Sequence, residues 1–350
     1  MHGYFFVGIG GSGMSSIAQI LAGNGVKVKG SDRSRDRGQN EALFKRLEFQ
    51  GIELFPQDGS GVTGDLECVV VSTAIEDTIP DIKRAREIGV PIKHRSQALA
   101  EIFNAKRGIA VGGTSGKSTV CGMIGTMLHH AGFDPSIING GRMKNFVSDG
   151  VTTGAVSGKS DIIVIESDES DGSIINYRPE CSIITNVTKD HKTVEELITL
   201  FETFIRNTEG SVVINKDCPV ASSLNTSGKK IITYGLETKA DIVADILEQG
   251  LFSSVFKVEG TRYELSVPGR HNISNALSAV AAGKLFGMSD GAVAEGIAAF
   301  KGISRRFDLI GEARGVKVID DFGHNPDKIR ATIESLDKYE GRRLFVFQPH

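Results

Sequence analysis

The clearest chemical signal in the sequence is a glycine-rich segment, Gly113-Thr114-Ser115-Gly116-Lys117-Ser118-Thr119. It follows a short apolar run and precedes a helix-like stretch from Ser118 to Ala131. A loop between a strand and a helix directs backbone N–H groups and the positive end of the helix dipole at one point. Lys117 adds a full charge there, and Ser118 offers a hydroxyl to Mg²⁺. The segment therefore predicts a site for a nucleoside triphosphate and its metal ion.

An alternative for this segment is a glycine-rich turn with a solvated lysine. The usual motif is G-x-x-x-x-G-K-[ST], and its first glycine would fall at Val111, with Gly112 and Gly113 beside it. The strand-like run before the loop and the helix-like run after it favour the phosphate site.

A second glycine motif lies near the start of the chain. The apolar run Tyr4–Ile9 leads into Gly8-x-Gly10-x-x-Gly13, and apolar residues then recur at helical spacing from Met14 to Ala22. A further strand delivers Asp32 about 20 residues after the loop. This pattern is typical of a pyrophosphate bound at a helix N-terminus, with a carboxylate on a ribose hydroxyl. It predicts a second nucleotide site and leaves the nucleotide open.

Carboxylates and a histidine follow two apolar strands in the middle of the chain. The strand at 161–165 runs into Glu166-Ser167-Asp168-Glu169-Ser170-Asp171, and the strand at 181–186 is followed by Asp190-His191. Hard cations prefer oxygen ligands, and the carboxyl ends of parallel strands meet at one sheet edge. We therefore favour Glu166 as a metal ligand over a purely solvated acidic loop. His191 is open to a functional and to a structural interpretation.

Amide side chains begin a long helix of small residues near the end of the central region. The segment Gly269 to Ala276 precedes helical spacing that reaches about Leu285, and His271 and Asn275 share one face of its first turns. Asn272 and Asn275 could cap the helix, or they could recognise the edge of a purine base.

Composition narrows the class of protein. The chain has 350 residues, 40% of them hydrophobic and 24% charged, which indicates two or three globular domains. A net charge of -3 gives no basic surface for nucleic acid or an anionic membrane. The four cysteines lie far apart, and no signal peptide or membrane span is evident. We expect a cytoplasmic enzyme, a monomer or a weak dimer.

The pattern of elements predicts three α/β domains. Residues 1–106 read as a small doubly wound sheet in which Ser96 caps the last helix, and residues 107–301 form the central domain. Within the latter, 139–160 is predicted to be a polar loop. Residues 302–350 begin a third domain with a strand pair, a helix and a strand at 344–347. That unit is not closed by residue 350, so we expect an incomplete third domain.

Five segments in this order resemble the Mur ligases of peptidoglycan synthesis, and together they span the chain. They are Gly8-Ile9-Gly10-Gly11-Ser12-Gly13-Met14, Gly113 to Thr119, Glu166 to Asp171, Gly269 to Ala276, and Asp320-Asp321-Phe322-Gly323-His324-Asn325-Pro326. The resemblance implies an ADP-forming amide ligase that uses ATP and Mg²⁺. Its fold would comprise an N-terminal Rossmann-like UDP-binding domain, a central P-loop-type ATPase domain and the start of a C-terminal Rossmann-like domain that binds the amino acid.

The resemblance also implies substrates and residue roles. The substrates would be UDP-N-acetylmuramate and an amino acid, L-alanine being expected. The catalytic set would be Lys117, Glu166, His191, Arg306, Asp321 and His324, with Ser118, Glu166 and His191 on the metal. ATP would contact the loop Gly113, Thr114, Ser115, Gly116, Lys117, Ser118 and Thr119, together with Asn272, Asn275, Arg306 and Asp321. The sugar nucleotide would contact Gly10, Gly11, Ser12, Gly13, Asp32, Ser72, His94 and Arg95.

Departures from the family pattern leave other functions open. The family loop usually reads G-T-H-G-K-T-T, whereas Ser115 and Ser118 occupy two of those positions here, and Lys192 and Thr193 follow His191 where an acidic residue is usual. One alternative is a ligase that attaches recycled murein tripeptide to UDP-N-acetylmuramate. Another is a sugar-nucleotide-binding paralogue without turnover. A nicotinamide-dependent oxidoreductase would account for the stretch from Gly8 to Asp32 alone.

Overall fold

The first part of the chain forms a five-stranded parallel sheet. The computed structural model describes residues 3–73, 76–148, 151–189, 192–324, 326–337 and 339–348. The strands are β1 (Gly3–Val7), β2 (Val28–Ser31), β3 (Glu53–Phe55), β4 (Leu66–Val71) and β5 (Ile92–His94), and the helices are α1 (Ser12–Gly23), α2 (Arg33–Asp36), α3 (Glu41–Phe49), α4 (Pro80–Glu87) and α5 (Arg95–Asn104). The order β3-β2-β1-β4-β5 is doubly wound, as predicted. The short edge strand β3 was not predicted.

The cap of α5 differs from the prediction. His94, not Ser96, is its N-cap, and the backbone N–H of Ser96 points at Nδ1 of His94. The Gln97 side chain accepts from the backbone N–H of His94 at 2.8 Å, which completes a capping box. Ser96 lies inside the first turn of the helix.

An eight-stranded sheet forms the centre of the molecule. Its strands are β6 (Arg107–Gly112), β7 (Ser136–Ser148), β8 (Val151–Val156), β9 (Ile162–Glu166), β10 (Cys181–Ile184), β11 (Ser211–Asn215), β12 (Lys230–Gly235) and β13 (Ile242–Val243), in the order β13-β12-β11-β10-β6-β9-β7-β8. The helices are α6 (Lys117–His130), α7 (Val194–Asn207), α8 (Pro219–Ser223), α9 (Arg270–Leu285) and α10 (Asp290–Ala298), with a 3-10 turn at Ser173–Asn176. All pairs are parallel except β7 with β8.

The predicted polar loop at 139–160 is wrong, because most of it is strand. Ile137 and Ile138 are buried and pair β7 with β9, and β8 extends the sheet beyond β7. Met143 further along β7 is fully buried. Glycine and asparagine are typical of turns, so this stretch was predicted to be a loop. It is a strand because it forms hydrogen bonds to neighbouring strands.

Two smaller sheets complete the described fold. The strands β14 (Asp245–Gln249), β15 (Ser254–Val258) and β16 (Thr261–Leu265) form an antiparallel sheet in which β15 and β16 make a hairpin. The pair β17 (Asp308–Ala313) and β18 (Val316–Asp320) is followed by α11 (Pro326–Glu334). The strand predicted at 344–347 is not formed, and its apolar side chains are exposed.

Both faces of the central sheet are covered, so a site can open only at an edge where the strands end. β6, β9 and β10 are near-continuous apolar runs, as expected for parallel strands covered by helices on both sides. The carboxyl ends of these three strands meet at one edge, where the glycine loop and the acidic segment begin.

The four cysteines are buried and unlinked. No helix in the described part of the chain is long and apolar enough to cross a membrane.

Candidate active site

The glycine loop that follows β6 is held in shape by its glycines and by the end of β10. Gly113 and Gly116 have φ angles of 133° and 83°, which L side chains rarely adopt. The Asn186 side chain accepts from the Thr114 hydroxyl at 2.6 Å and from the Ser115 backbone N–H at 3.0 Å. Its amide also donates to the Ser115 hydroxyl at 2.8 Å. The loop is therefore a preformed concave backbone at the N-terminus of α6, which suits a phosphate.

Lys117 is fixed between its own loop and the acidic segment. Its Nζ donates to the Gly113 carbonyl and to Oε2 of Glu169, both at 2.7 Å. The Lys117 side chain is 13% exposed and that of Glu169 is 5% exposed. Burial raises the pKa of the Glu169 carboxyl, and the positive charge of Lys117 opposes that rise. Lys117 thus lies at the glycine loop with a buried carboxylate as its partner, and its contact with a phosphate stays a prediction.

Ser118 and Glu166 provide oxygen ligands suited to a magnesium ion beside the loop. Ser118 lies in the first turn of α6, and Glu166 ends β9, so both face the same cleft. Oε2 of Glu166 accepts from the Gly140 backbone N–H at 2.8 Å, and Asn139 donates to the Ser118 carbonyl. A hydroxyl and a carboxylate are the kind of ligand that Mg²⁺ takes in nucleotide sites, so these residues fit the ion. Their role as metal ligands stays a prediction.

One cleft collects most of the residues predicted to bind ATP. Its walls come from the glycine loop, from the end of β9, from the start of α9 and from the segment around β17 and β18. The predicted residues that line it are Thr114, Ser115, Gly116, Lys117, Ser118, Thr119, Glu166, Asn272, Asn275, Arg306 and Asp321. Segments some 200 residues apart in sequence thus converge on one opening.

The two asparagines of α9 lie against the glycine loop. A Cβ added to Gly116 would stand 2.7 Å from Oδ1 of Asn275, so the amide and the loop backbone are in close approach. Asn275 donates to Oδ1 of Asn272, and Asn272 donates to the Pro268 carbonyl at 2.7 Å. Asn272 therefore fixes the start of α9 and orients Asn275. Recognition of adenine by this pair stays a prediction.

Arg306 lies just before β17 and Asp321 directly follows β18, so the two residues flank this strand pair. The Arg306 guanidinium lies over the Phe322 ring, 5.3 Å from its centroid. Asp321 accepts from the Phe307 backbone N–H at 2.8 Å and from the Gly323 N–H at 2.7 Å. His324 does not line the cleft. Its Nε2 lies 3.2 Å from Nζ of Lys328, which does.

The residues predicted to bind the sugar nucleotide lie together at the carboxyl edge of the first sheet. Gly10, Gly11, Ser12 and Gly13 follow β1, Asp32 follows β2, Ser72 follows β4, His94 ends β5, and Arg95 begins α5. A Cβ on Gly13 would stand 2.8 Å from Nη1 of Arg95, so the guanidinium lies at the start of α1. A cation beside a helix N-terminus is a favourable setting for a pyrophosphate.

Asp32 has a structural role that the sequence did not indicate. One carboxylate oxygen accepts from the Gly10 backbone N–H and the other from the Ser34 N–H, each at 2.8 Å. Asp32 thus caps α2 and holds the first glycine loop against β2. A ribose contact by this carboxylate stays a prediction.

Several residues at the site were not predicted from the sequence. His191 and Asp190 lie outside the described residues. Asn186 could have been suspected from its position at the carboxyl end of β10, next to the strand that precedes the loop. Glu169 was recognised only as one of four carboxylates, and its contact with Lys117 has no sequence signal. Lys328 and Thr332 of α11 also line the cleft.

Comparisons with known proteins identify the family of this chain. The chain matches the Mur ligase middle domain over residues 111–283, the Mur ligase family catalytic domain over 4–107, and the Mur ligase glutamate ligase domain over 305–350. UDP-N-acetylmuramate–L-alanine ligase of Rhizobium etli is 38% identical over 99% of this chain and 75% of its own length. The enzyme of that name from Streptomyces avermitilis is 40% identical over 99% and 76%.

Two solved structures share the fold across nearly the whole chain. UDP-N-acetylmuramate-alanine ligase of Thermotoga maritima aligns with a TM-score of 0.80 at 29% identity, over 97% of this chain and 78% of that one. A murein peptide ligase of Psychrobacter arcticus aligns with a TM-score of 0.80 at 25% identity, over 98% and 78%. With these matches and the glycine loop, Lys117 and Glu166 in one cleft, the chain belongs to the Mur ligase family of ATP-dependent, amide-forming ligases.

Proposed function

We propose that this protein joins L-alanine to the lactyl carboxylate of UDP-N-acetylmuramate, with conversion of ATP to ADP, in peptidoglycan synthesis. The observation that carries the proposal is the convergence of Lys117, Glu166, Asn275 and Arg306 on one cleft. The Arg95 guanidinium at the start of α1 supports a second anion-binding position in the first domain. The names of the full-length relatives point to the same substrates. The units for the sugar nucleotide, for ATP and for the amino acid would be residues 1–106, 107–301 and 302–350.

The chemistry of amide formation suits the residues in the cleft. The unreactive carboxylate would take the γ-phosphoryl group of ATP, with release of ADP, to give an acyl phosphate. The amine would then attack the acyl carbon, form the amide bond and displace inorganic phosphate. Lys117 and the loop N–H groups would stabilise the negative charge that builds up on the phosphoryl oxygens. Ser118 and Glu166 would hold Mg²⁺, and Arg306 would add a further positive charge from the opposite wall. Such a site needs no nucleophilic serine or cysteine.

The direct test is phosphate release from ATP by the purified protein with Mg²⁺ and UDP-N-acetylmuramate. L-Alanine, L-serine, glycine and murein tripeptide are compared as acceptors. We expect release to depend on both the sugar nucleotide and L-alanine. Phosphate release that does not depend on any acceptor would contradict the proposal.

The recycling of murein tripeptide is the second candidate. The murein peptide ligase of Psychrobacter arcticus has the same TM-score to this chain as the alanine ligase of Thermotoga maritima. Ser115 departs from the usual loop sequence as well. Stimulation by the tripeptide and none by L-alanine in the same assay would favour this candidate.

Arg95 offers a test of the sugar-nucleotide site. We expect Arg95→Met to weaken the binding of UDP-N-acetylmuramate about tenfold, because one charged hydrogen bond to a phosphate is lost. Affinity for Mg-ATP should stay unchanged, and isothermal titration calorimetry measures both. Lys93→Met is the matched control, since Lys93 lies two positions before Arg95 and pairs with Glu101. Equal losses in the two variants would place the sugar nucleotide elsewhere.

A further inference from the structure

Glu169 is a deeply buried carboxylate in contact with Lys117, a residue of the ATP cleft. Its side chain is 5% exposed, and Oε2 lies 2.7 Å from Nζ of Lys117. The neighbouring Asp168 is exposed, and its carboxylate accepts from the Ser170 backbone N–H in its own loop. A buried charge costs free energy unless it is paired, so the buried Glu169 carboxylate strongly favours its ion pair with Lys117.

The hydrogen bonds of Lys117 limit what its ammonium group can do. An ammonium has three donors, and two of them go to the Gly113 carbonyl and to Glu169. Among the contacts made with the described residues, one donor remains for a phosphate oxygen, in a direction set by the other two. Glu169 also places a negative charge beside the site of a polyphosphate. It therefore opposes binding of the nucleotide in the ground state while it fixes the direction of the lysine.

We propose that Glu169 is a positioning residue that orients Lys117 for phosphoryl transfer at the expense of nucleotide affinity. The proposal rests on the function proposed above for this cleft. Interactions that matter in the transition state raise the catalytic rate, whereas interactions equally strong in the ground state only tighten binding. A carboxylate that restrains the lysine should therefore raise the catalytic rate and lower the affinity for Mg-ATP.

The test is Glu169→Gln, which keeps the size of the side chain and removes its charge. We expect the variant to bind Mg-ATP about fivefold more tightly, because Lys117 is released and a repelling charge is gone. We expect kcat for amino-acid-dependent phosphate release to fall about tenfold, because the lysine is no longer oriented. Calorimetric titration with Mg-ATP gives the first quantity and steady-state kinetics gives the second.

Two further variants separate positioning from simple damage to the fold. Asp168→Asn removes a nearby exposed charge and should leave both quantities within twofold of the wild type. Glu169→Asp retains the charge and should restore part of the loss in kcat. If Glu169→Gln unfolds, Glu169→Asp alone tests the positioning role. Its shorter carboxylate should hold the lysine less well, so Mg-ATP affinity should rise and kcat should fall, each by less than in Glu169→Gln.

The outcomes distinguish this proposal from the proposed function. A wild-type protein without acceptor-dependent phosphate release would defeat the function, and the binding comparison would then decide the role of Glu169 alone. Weaker or unchanged Mg-ATP binding in Glu169→Gln overturns the positioning role. Tighter binding with an unchanged kcat in an active enzyme overturns it as well.

Discussion

Lys117→Ala is expected to lower acceptor-dependent phosphate release about a thousandfold while UDP-N-acetylmuramate binding stays within twofold of the wild type. The lysine provides a full charge at the glycine loop, and loss of one such donor at a developing negative charge costs about 100- to 1000-fold in rate. The sugar nucleotide is expected at the first sheet, where Arg95 flanks α1. Steady-state kinetics and calorimetric titration measure the two effects. A collapse of sugar-nucleotide affinity would contradict the separation of the two sites.

The same substitution should also change stability in a pH-dependent way. Without Lys117, Glu169 is a buried carboxylate that has lost its cation, which costs about 3–5 kcal/mol. Burial already raises the pKa of Glu169 above its ordinary value. The folded variant then binds a proton more readily than the unfolded chain, so its stability falls as the pH rises through that raised pKa. Urea unfolding at pH 5 and pH 8 should show the larger destabilisation at pH 8.

A double variant provides the control for this effect. Adding Glu169→Gln to Lys117→Ala removes the unpaired charge, so stability at pH 8 should recover while turnover does not. If the double variant is as unstable as the single one, the loss of stability comes from the packing of the lysine stem and not from the charge.

Local patterns in the sequence were sufficient to predict the elements that carry the chemistry. The helix Val194–Asn207 is marked in the sequence by a long amphipathic repeat, and Thr193 forms a capping box with Glu196 at its start. The glycine loops were predicted because each follows an apolar strand and precedes a helix. In both cases the determining interactions lie within a few residues of each other.

Elements that depend on distant partners could not be predicted in this way. β7 is a strand because it pairs with β9 and β8, and its own run Asn139-Gly140-Gly141 indicates a turn. The stretch 344–347 is apolar and still forms no strand, because it has no partner strand among the described residues. Apolar alternation marks a segment that can be a strand, whereas pairing decides whether it is one.

The site shows the same division. Lys117 and Ser118 were predicted from the glycine-rich loop and Glu166 from its position at a strand end, and the structure places all three in one cleft. The contacts of Lys117 with Glu169 and of Ser115 with Asn186 join residues 52 and 71 positions apart, so no local pattern reveals them. Asp32 was predicted as a nucleotide contact from a local pattern, and in the structure its carboxylate makes two hydrogen bonds that stabilise the fold.

Gly113→Ala is expected to remove Mg-ATP binding and to lower the free energy of unfolding by about 3 kcal/mol. The φ angle of 133° at this residue is strained for any L side chain. A Cβ there would also stand 2.0 Å from Oγ1 of Thr185 and 3.0 Å from the Asn186 carbonyl oxygen. Thr185 donates to the Ser115 carbonyl at 2.6 Å, so the end of β10 cannot move without deforming the loop.

Gly132→Ala separates the strain at Gly113 from its steric effect. Gly132 follows the other end of α6, with φ of 82° and no heavy atom within 4 Å of an added Cβ. It should cost about 1–2 kcal/mol through backbone strain alone and leave Mg-ATP affinity unchanged. Chemical denaturation and calorimetric titration of both variants give the comparison. Both glycines have a positive φ, but only Gly113 has close neighbours, so the comparison isolates the steric effect. If the Gly113→Ala protein binds Mg-ATP within twofold of the wild type, the close packing of the loop against β10 does not shape the phosphate site.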